Sequence, residues 1–326
     1  MKRHKLSRSG LAVFAVFFAV FAFFAAVVVW LVTQPFRDVA SRSAERVASA
    51  PPPASPPPKA AALFSFGAPG TQAGQFEDVR AIAVDGQGRL YASDFQRTGR
   101  IQVFDAAGTF QAQWLVSDRY PVSGLAATPD GAVYVVQQGE ITKYDGATGK
   151  RLSKLDYAQG FHDVAVLPDG GLVAYGWFGG HDRVVHLDAG GRVTREVSDV
   201  LGEQLHEVLL EGQVAADAAG RTWVLTGLSE PAIVQFSKSG ALAGRIPSGK
   251  PRAQQFTGSA EIAVAGAGRL LVTGREGVQL WRTDGSYLET LPVDGMPRDL
   301  AVVDPTTVWV STSNQKLVKL SLPPAG

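Results

Sequence analysis

The chain has no cysteine in 326 residues, a single asparagine (Asn314), two methionines and five histidines. Each scarcity removes a chemistry. Without cysteine there is no disulfide, no thiolate metal site and no cysteine nucleophile. A catalytic zinc needs about three nitrogen or oxygen side-chain ligands and an open position. The histidines do not supply them: His162 opens an apolar run, His181 and His186 fall in "HDRVVH", and His206 sits in "LGEQLHEVLLEG" with no second histidine at helical spacing. Also absent are a G-x-S-x-G elbow, a Walker loop and an H-E-x-x-H helix. A strong basic balance is missing as well. Residues 60–326 hold 28 acidic against 23 basic side chains, and a mildly acidic surface repels phosphate, so no nucleic-acid partner is expected.

Long apolar runs are lacking too, with one exception. Residues 11–32, "LAVFAVFFAVFAFFAAVVVWLV", contain no charge. At about 1.5 Å per residue in a helix they span the hydrocarbon core of a bilayer. Lys2, Arg3, Lys5 and Arg8 precede the run, so the positive-inside rule puts residues 1–10 in the cytoplasm and sends the chain after the run outward. A cleaved signal peptide with a small-residue site at "VASA", residues 47–50, is the competing reading; the length of the run and its distance from that site favour an uncleaved signal-anchor. Residues 33–60 end in two proline triplets, 51–53 and 56–58. Such a segment buries no core and is expected to act as a semi-rigid polyproline II tether.

The rest is repetitive. "AIAVDGQGRLYASD" followed by "GRIQVFDAAGTF" alternates apolar and polar residues in short bursts broken by glycine turns, the pattern of antiparallel strands. It recurs at residues 124–150, 163–193, 214–242 and 261–288, and for three strands at 299–322. Six copies about 38 to 50 residues apart predict an all-β, six-bladed β-propeller over residues 61–326. The last copy is one strand short, whereas "AALFSFG", residues 61–67, is a strand without a blade. Adding it to the outer edge of the last blade closes the ring and leaves no long free edge. Large rings at matching places on second strands, Tyr91, Tyr134, Trp223 and Trp309, are expected to fill wedges between blades.

The first copy, from Phe76 to Phe110, resembles the NHL repeat, and the other five match it more loosely. The resemblance implies a propeller of a kind that serves as sensor ectodomain, as binding platform or, in a minority, as metal-assisted lyase or lactonase. The lyases present several histidines at the heads of inner strands and the lactonases hold calcium with asparagines; here those positions offer one histidine and no asparagine. Neither ligand set carries over, and no cofactor and no metal are expected.

Aligning the copies on their inner strands places Arg80, Ser123, His162, Gly212, Ala260 and Arg298 at one level and Ala81, Gly124, Asp163, Gln213, Glu261 and Asp299 at the next. These levels are expected to ring one mouth of the central channel. Arg80, His162, Asp163, Glu261, Arg298 and Asp299 are the candidate ligand-binding residues, because polar groups of both signs converge there. The competing reading pairs the arginines with Asp163, Glu261 or Asp299 in purely structural salt bridges. Trp177 and Phe178 in "YGWFGGHDR" are a second candidate, as a strand-to-strand loop patch. Together these features describe a single-pass protein of the inner (cytoplasmic) membrane whose propeller lies in the periplasm or outside the cell. It is expected to bind, sense or scaffold a protein, peptide or envelope ligand without turnover, with a metal-dependent lyase or lactonase-like enzyme as the alternative.

Overall fold

The computed structural model describes residues 62–324 except 97, 118–119, 200–211, 227–230, 250, 252–253, 257, 259 and 267. The expected membrane helix, the proline-rich segment and His206 lie outside the described residues. Among the described residues, twenty-four strands form six four-stranded antiparallel sheets, and no helix is long and apolar enough to cross a membrane. The inner strands are Val79–Val84, Gly124–Ala127, Phe161–Val166, Gly212–Ala216, Ile262–Ala265 and Pro297–Asp304, for blades 1 to 6. Each inner strand packs beside those of the preceding and following blades, and blade 6 packs beside blade 1, so the ring is complete.

The blades owe their shape to a repeated turn chemistry. After the inner strand of blade 1, Asp85 Oδ1 accepts from the amides of Gln87 and Arg89 at 2.9 Å each, and Gly88 takes φ +78°. Asp105, Asp188 and Asp217 do the same for the amides two and four residues on. A short carboxylate thus replaces the missing ladder partners and the glycine absorbs the positive φ. Gly86, in the same turn, is not among the positive-φ glycines. It is required for another reason: a Cβ there would lie 2.6 Å from the Pro129 carbonyl of blade 2.

Blade 6 is closed as its missing strand demands. Ala62–Phe66 pairs with the outer strand Leu317–Ser321, Phe66 opposite Leu317, giving a sheet whose last strand comes from the beginning of the fold. Phe64 and Phe66 stand edge-on to Trp309, with ring centroids 5.3 and 5.7 Å away, and Phe66 lies 4.8 Å from Phe104 of blade 1. The four wedge aromatics are all buried: Tyr91, Trp223 and Trp309 at 0 % exposure and Tyr134 at 3 %.

Trp177 and Phe178 do not form a loop. They end the strand Leu172–Phe178, and Phe178 pairs with His181 across a two-residue turn in which Gly179 and Gly180 have φ +61° and +100°. Two consecutive positive-φ glycines make a tight hairpin turn that lets the strand run further than the sequence pattern suggests. Phe178 is buried, 5.2 Å from the Tyr157 ring and 5.0 Å from that of Phe161.

Candidate functional site

The inner strands all start at one face of the ring, and their first residues line a chamber of about 500 Å³. Its lining includes Arg80, Ser123, His162, Ala260 and Arg298 from the first level and Gln213, Glu261 and Asp299 from the second. Val122 and Met296, from the connections that lead into blades 2 and 6, complete it. Below lies a narrower channel of about 230 Å³ whose walls are chiefly alanine, valine and leucine side chains, such as Ala83, Leu125 and Val164. Asp163, Glu261 and Asp299 sit where chamber and channel meet: Glu261 and Asp299 line both, and Asp163 lines the channel. The same strands therefore supply a charged mouth, a carboxylate belt and an apolar throat.

At the rim, both arginines turn to one acid that the repeat alignment does not include. Arg80 Nε donates to Asp78 Oδ2 at 2.7 Å, and Arg298 Nη1, from blade 6, donates to Asp78 Oδ1. Burial pushes the Asp78 carboxyl up, but the hydrogen bonds and charges of Arg298 and Arg80 outweigh it and hold the group below the ordinary aspartate range. The backbone carrying Asp78 is itself fixed. Asp94 Oδ1 accepts from the amides of Glu77 and Asp78 at 2.9 and 2.8 Å, and Arg100 binds Asp94 Oδ2 and the carbonyls of Thr71 and Gln75. Two guanidinium groups share one carboxylate, so the rim carries an excess positive charge. Arg80 keeps half of its side-chain surface exposed.

The belt behaves differently. Asp299 Oδ2 accepts from the Ile82 amide of blade 1 and Oδ1 from the Leu300 amide, both at 2.5 Å. Asp163 Oδ2 accepts from the Val214 amide of blade 4 at 2.8 Å. Each aspartate thus ties its own blade to the next. Glu261 Oε1 accepts from the Ile262 amide at 2.8 Å and its carboxyl is hydrogen-bonded to Asp299. Thr273 Oγ1 accepts from the amides of Ala260 and Glu261, which sets the backbone at that corner. Burial pushes Asp163 up to about 7 and Asp299 up to about 8. Glu261 is raised well above the usual carboxylate range by burial and then by the charges of Asp163 and Asp299.

The structure therefore brings all six candidate residues to the mouth and its floor, but it does not pair them as the structural reading expects. Arg80 and Arg298 bond Asp78, not Asp163, Glu261 or Asp299. Among the described residues, no three histidine, aspartate or glutamate side chains are grouped to hold a metal ion. Gly212 shares the first level without lining the chamber; a side chain there would meet Tyr175 at 2.7 Å. Asp78 has no signal in the repeat, because it precedes the first inner strand.

A second cavity, about 340 Å³, lies between blades 3 and 4 and is lined by Asp169, His186, Asp188, Arg195 and Lys238 among others. Arg195 crosses that seam. Its Nη1 donates to the Lys238 carbonyl at 2.8 Å and its Nη2 to His186 Nε2 at 2.6 Å, while its side chain lies over Gly240. Burial first, and then the Arg195 charge, pushes His186 down to about 4, which keeps its ring neutral as an acceptor. These contacts make Arg195 a bracket between blades.

No family model matches the chain, and no curated protein matches it. Solved structures share its fold. A luciferin-regenerating enzyme superposes with a TM-score of 0.55 at 13 % identity, covering 76 % of this chain and 92 % of its own. The structure of U3-55K gives 0.53 at 13 % identity, covering 77 % and 83 %. A protein of unknown function from Bacteroides caccae gives 0.51 at 15 % identity, covering 69 % and 86 %. At these identities the likeness is one of propeller architecture.

Proposed function

We propose that this chain is a membrane-anchored, NHL-like propeller that presents its channel mouth, outside the cytoplasm, to a small polar group such as the end of a peptide. One observation carries the reading: a chamber of about 500 Å³ that narrows at a carboxylate belt and is edged by two arginines that share a single aspartate. The excess guanidinium charge and the half-exposed Arg80 suit a carboxylate, which such donors bind in a forked geometry. The uncharged run at residues 11–32, behind four basic residues, supports the anchor and the outward orientation. The likeness to a luciferin-regenerating enzyme does not extend the proposal to catalysis, because propellers serve binding and turnover alike. Among the described residues, His162 is the only histidine lining the chamber, which favours binding.

The test is selection from a random hexapeptide library with free carboxyl ends against the same library amidated. Retention of free ends by the wild-type protein, lost in the Arg80→Ala, Arg298→Ala double variant, is the expected result. Equal retention by the double variant moves the site elsewhere.

A further inference from the structure

The belt of Asp163, Glu261 and Asp299 has more carboxylate than its surroundings can neutralise. The two arginines that line the chamber with Glu261 and Asp299 are both committed to Asp78. His162, one residue before Asp163, lines the chamber. The inner strands of blades 1, 2 and 4 contribute Ala81, Gly124 and Gln213 at this level, none of them charged. Below the belt the wall is apolar. Asp163 and Asp299 are only 6 % and 9 % exposed. Glu261 is half-buried at the chamber floor, so full ionisation would place three like charges near one another, two of them nearly out of water, which costs several kcal/mol per uncompensated buried ion. A hydrogen bond between the carboxyls of Glu261 and Asp299 also requires a proton on one of them.

We infer that the belt is a proton-operated lock on the ring: a proton shared between Glu261 and Asp299 holds blades 5 and 6 together, and its loss sets like charges against one another on the carboxyls that bridge blades 3–4 and 6–1. The lock stands whether or not the mouth takes a ligand. Its sign is set by linkage. The belt carboxyls hold protons more tightly in the folded ring than in the unfolded chain, where carboxyls titrate near 4. The stability they confer is fully present below about pH 4 and is lost as pH rises through about 7 to 8, the range to which Asp163 and Asp299 are raised. The device thus tightens on acidification, the reverse of a salt-bridged carboxylate.

Urea unfolding of the full chain, followed by tryptophan fluorescence from about pH 5 to about pH 9, reads the lock directly. The midpoint should fall from about pH 5 to about pH 8 in the wild type and level off above that. Glu261→Gln keeps a donor toward Asp299 without a titrating proton and should flatten the fall; Asp78→Asn, outside the belt, should keep it. A Glu261→Gln slope equal to that of the wild type overturns the inference. Should that variant fail to fold, carbon-13 carboxyl titration of the wild type decides. At least one belt carboxyl titrating above about pH 6 supports the lock, and all three titrating near 4 overturn it.

Discussion

Two seams of the ring are bridged from the same position, Asp163 across blades 3 and 4 and Asp299 across blades 6 and 1, and they are backed very differently. At the 3–4 seam the chain runs on from one blade to the next, and the packing behind the bridge is Val173, Tyr175 and Val184 against Val214, Val224, Val234 and Phe236. At the 6–1 seam the sheet is completed by a strand from the other end of the fold, and further ties accumulate. Gln315 Oε1 accepts from the Val79 amide at 3.0 Å, Ser311 Oγ donates to the Arg80 carbonyl at 3.0 Å, and Arg298 reaches Asp78. Phe64 and Phe66 pack Trp309 against the Phe76 and Phe104 cluster of blade 1. The lesson is that in this ring the closing seam is tied by several side chains from both blades, whereas the 3–4 seam adds the Arg195 bracket to its apolar packing, and that one of those closing contacts, Arg298 with Asp78, also builds the mouth.

The sharpest way to break this comparison is to remove the closing strand. A chain beginning at Gly70 leaves blade 6 with a bare edge and uncovers Trp309. In thermal denaturation it should aggregate or melt far below a chain beginning at Lys59; equal melting temperatures would show that Ala62–Phe66 does not close the ring. Next in size, Trp309→Ala empties the centre of the 6–1 wedge and should cost about 3–5 kcal/mol in chemical denaturation. Phe236→Ala at the 3–4 seam, fully buried as well, should cost less within that range if the closing seam is the more heavily tied.

Smaller effects sharpen the contrast between the bridges. Asp299→Ala leaves the amides of Ile82 and Leu300 without their acceptor, and Asp163→Ala those of Val214 and Val164. Each should cost on the order of 1–3 kcal/mol at about pH 5, and both costs should shrink at about pH 9, where the wild-type carboxylates are ionised against their surroundings. Smallest in stability is Arg298→Ala, because an ion pair this accessible contributes at most about 1 kcal/mol. Its predicted consequence is weaker retention of free peptide carboxyls with an almost unchanged melting curve.

The blades were legible because period-2 alternation and the Asp-x-x-Gly turns are local. Closure by residues 61–67 was legible because a strand surplus and a strand deficit cancel. Alignment of the repeats also put Arg80, His162, Asp163, Glu261, Arg298 and Asp299 on one mouth. It failed where contacts join residues at unrelated repeat positions. Asp78 lies ahead of the first inner strand, and its pairing with Arg298 crosses 220 residues of sequence. Phe178 reads as a loop residue because adjacent glycines interrupt the pattern; in three dimensions those glycines are the hairpin turn and the phenylalanine belongs to the core. That Asp163 and Asp299 bond the next blade's amides, and not the arginines, is a matter of backbone position that no side-chain pattern reports.

The most direct measurement is a nuclear magnetic resonance titration of the propeller with a peptide selected from the free-carboxyl library, following the His162 imidazole and the Trp177 indole together. A ligand seated in the chamber lined by Arg80, His162 and Arg298 shifts the His162 signals saturably and leaves Trp177 in place, and Arg80→Ala with Arg298→Ala abolishes the shift. Movement of Trp177 with His162 unchanged would contradict the account and place recognition on the blade 3 hairpin.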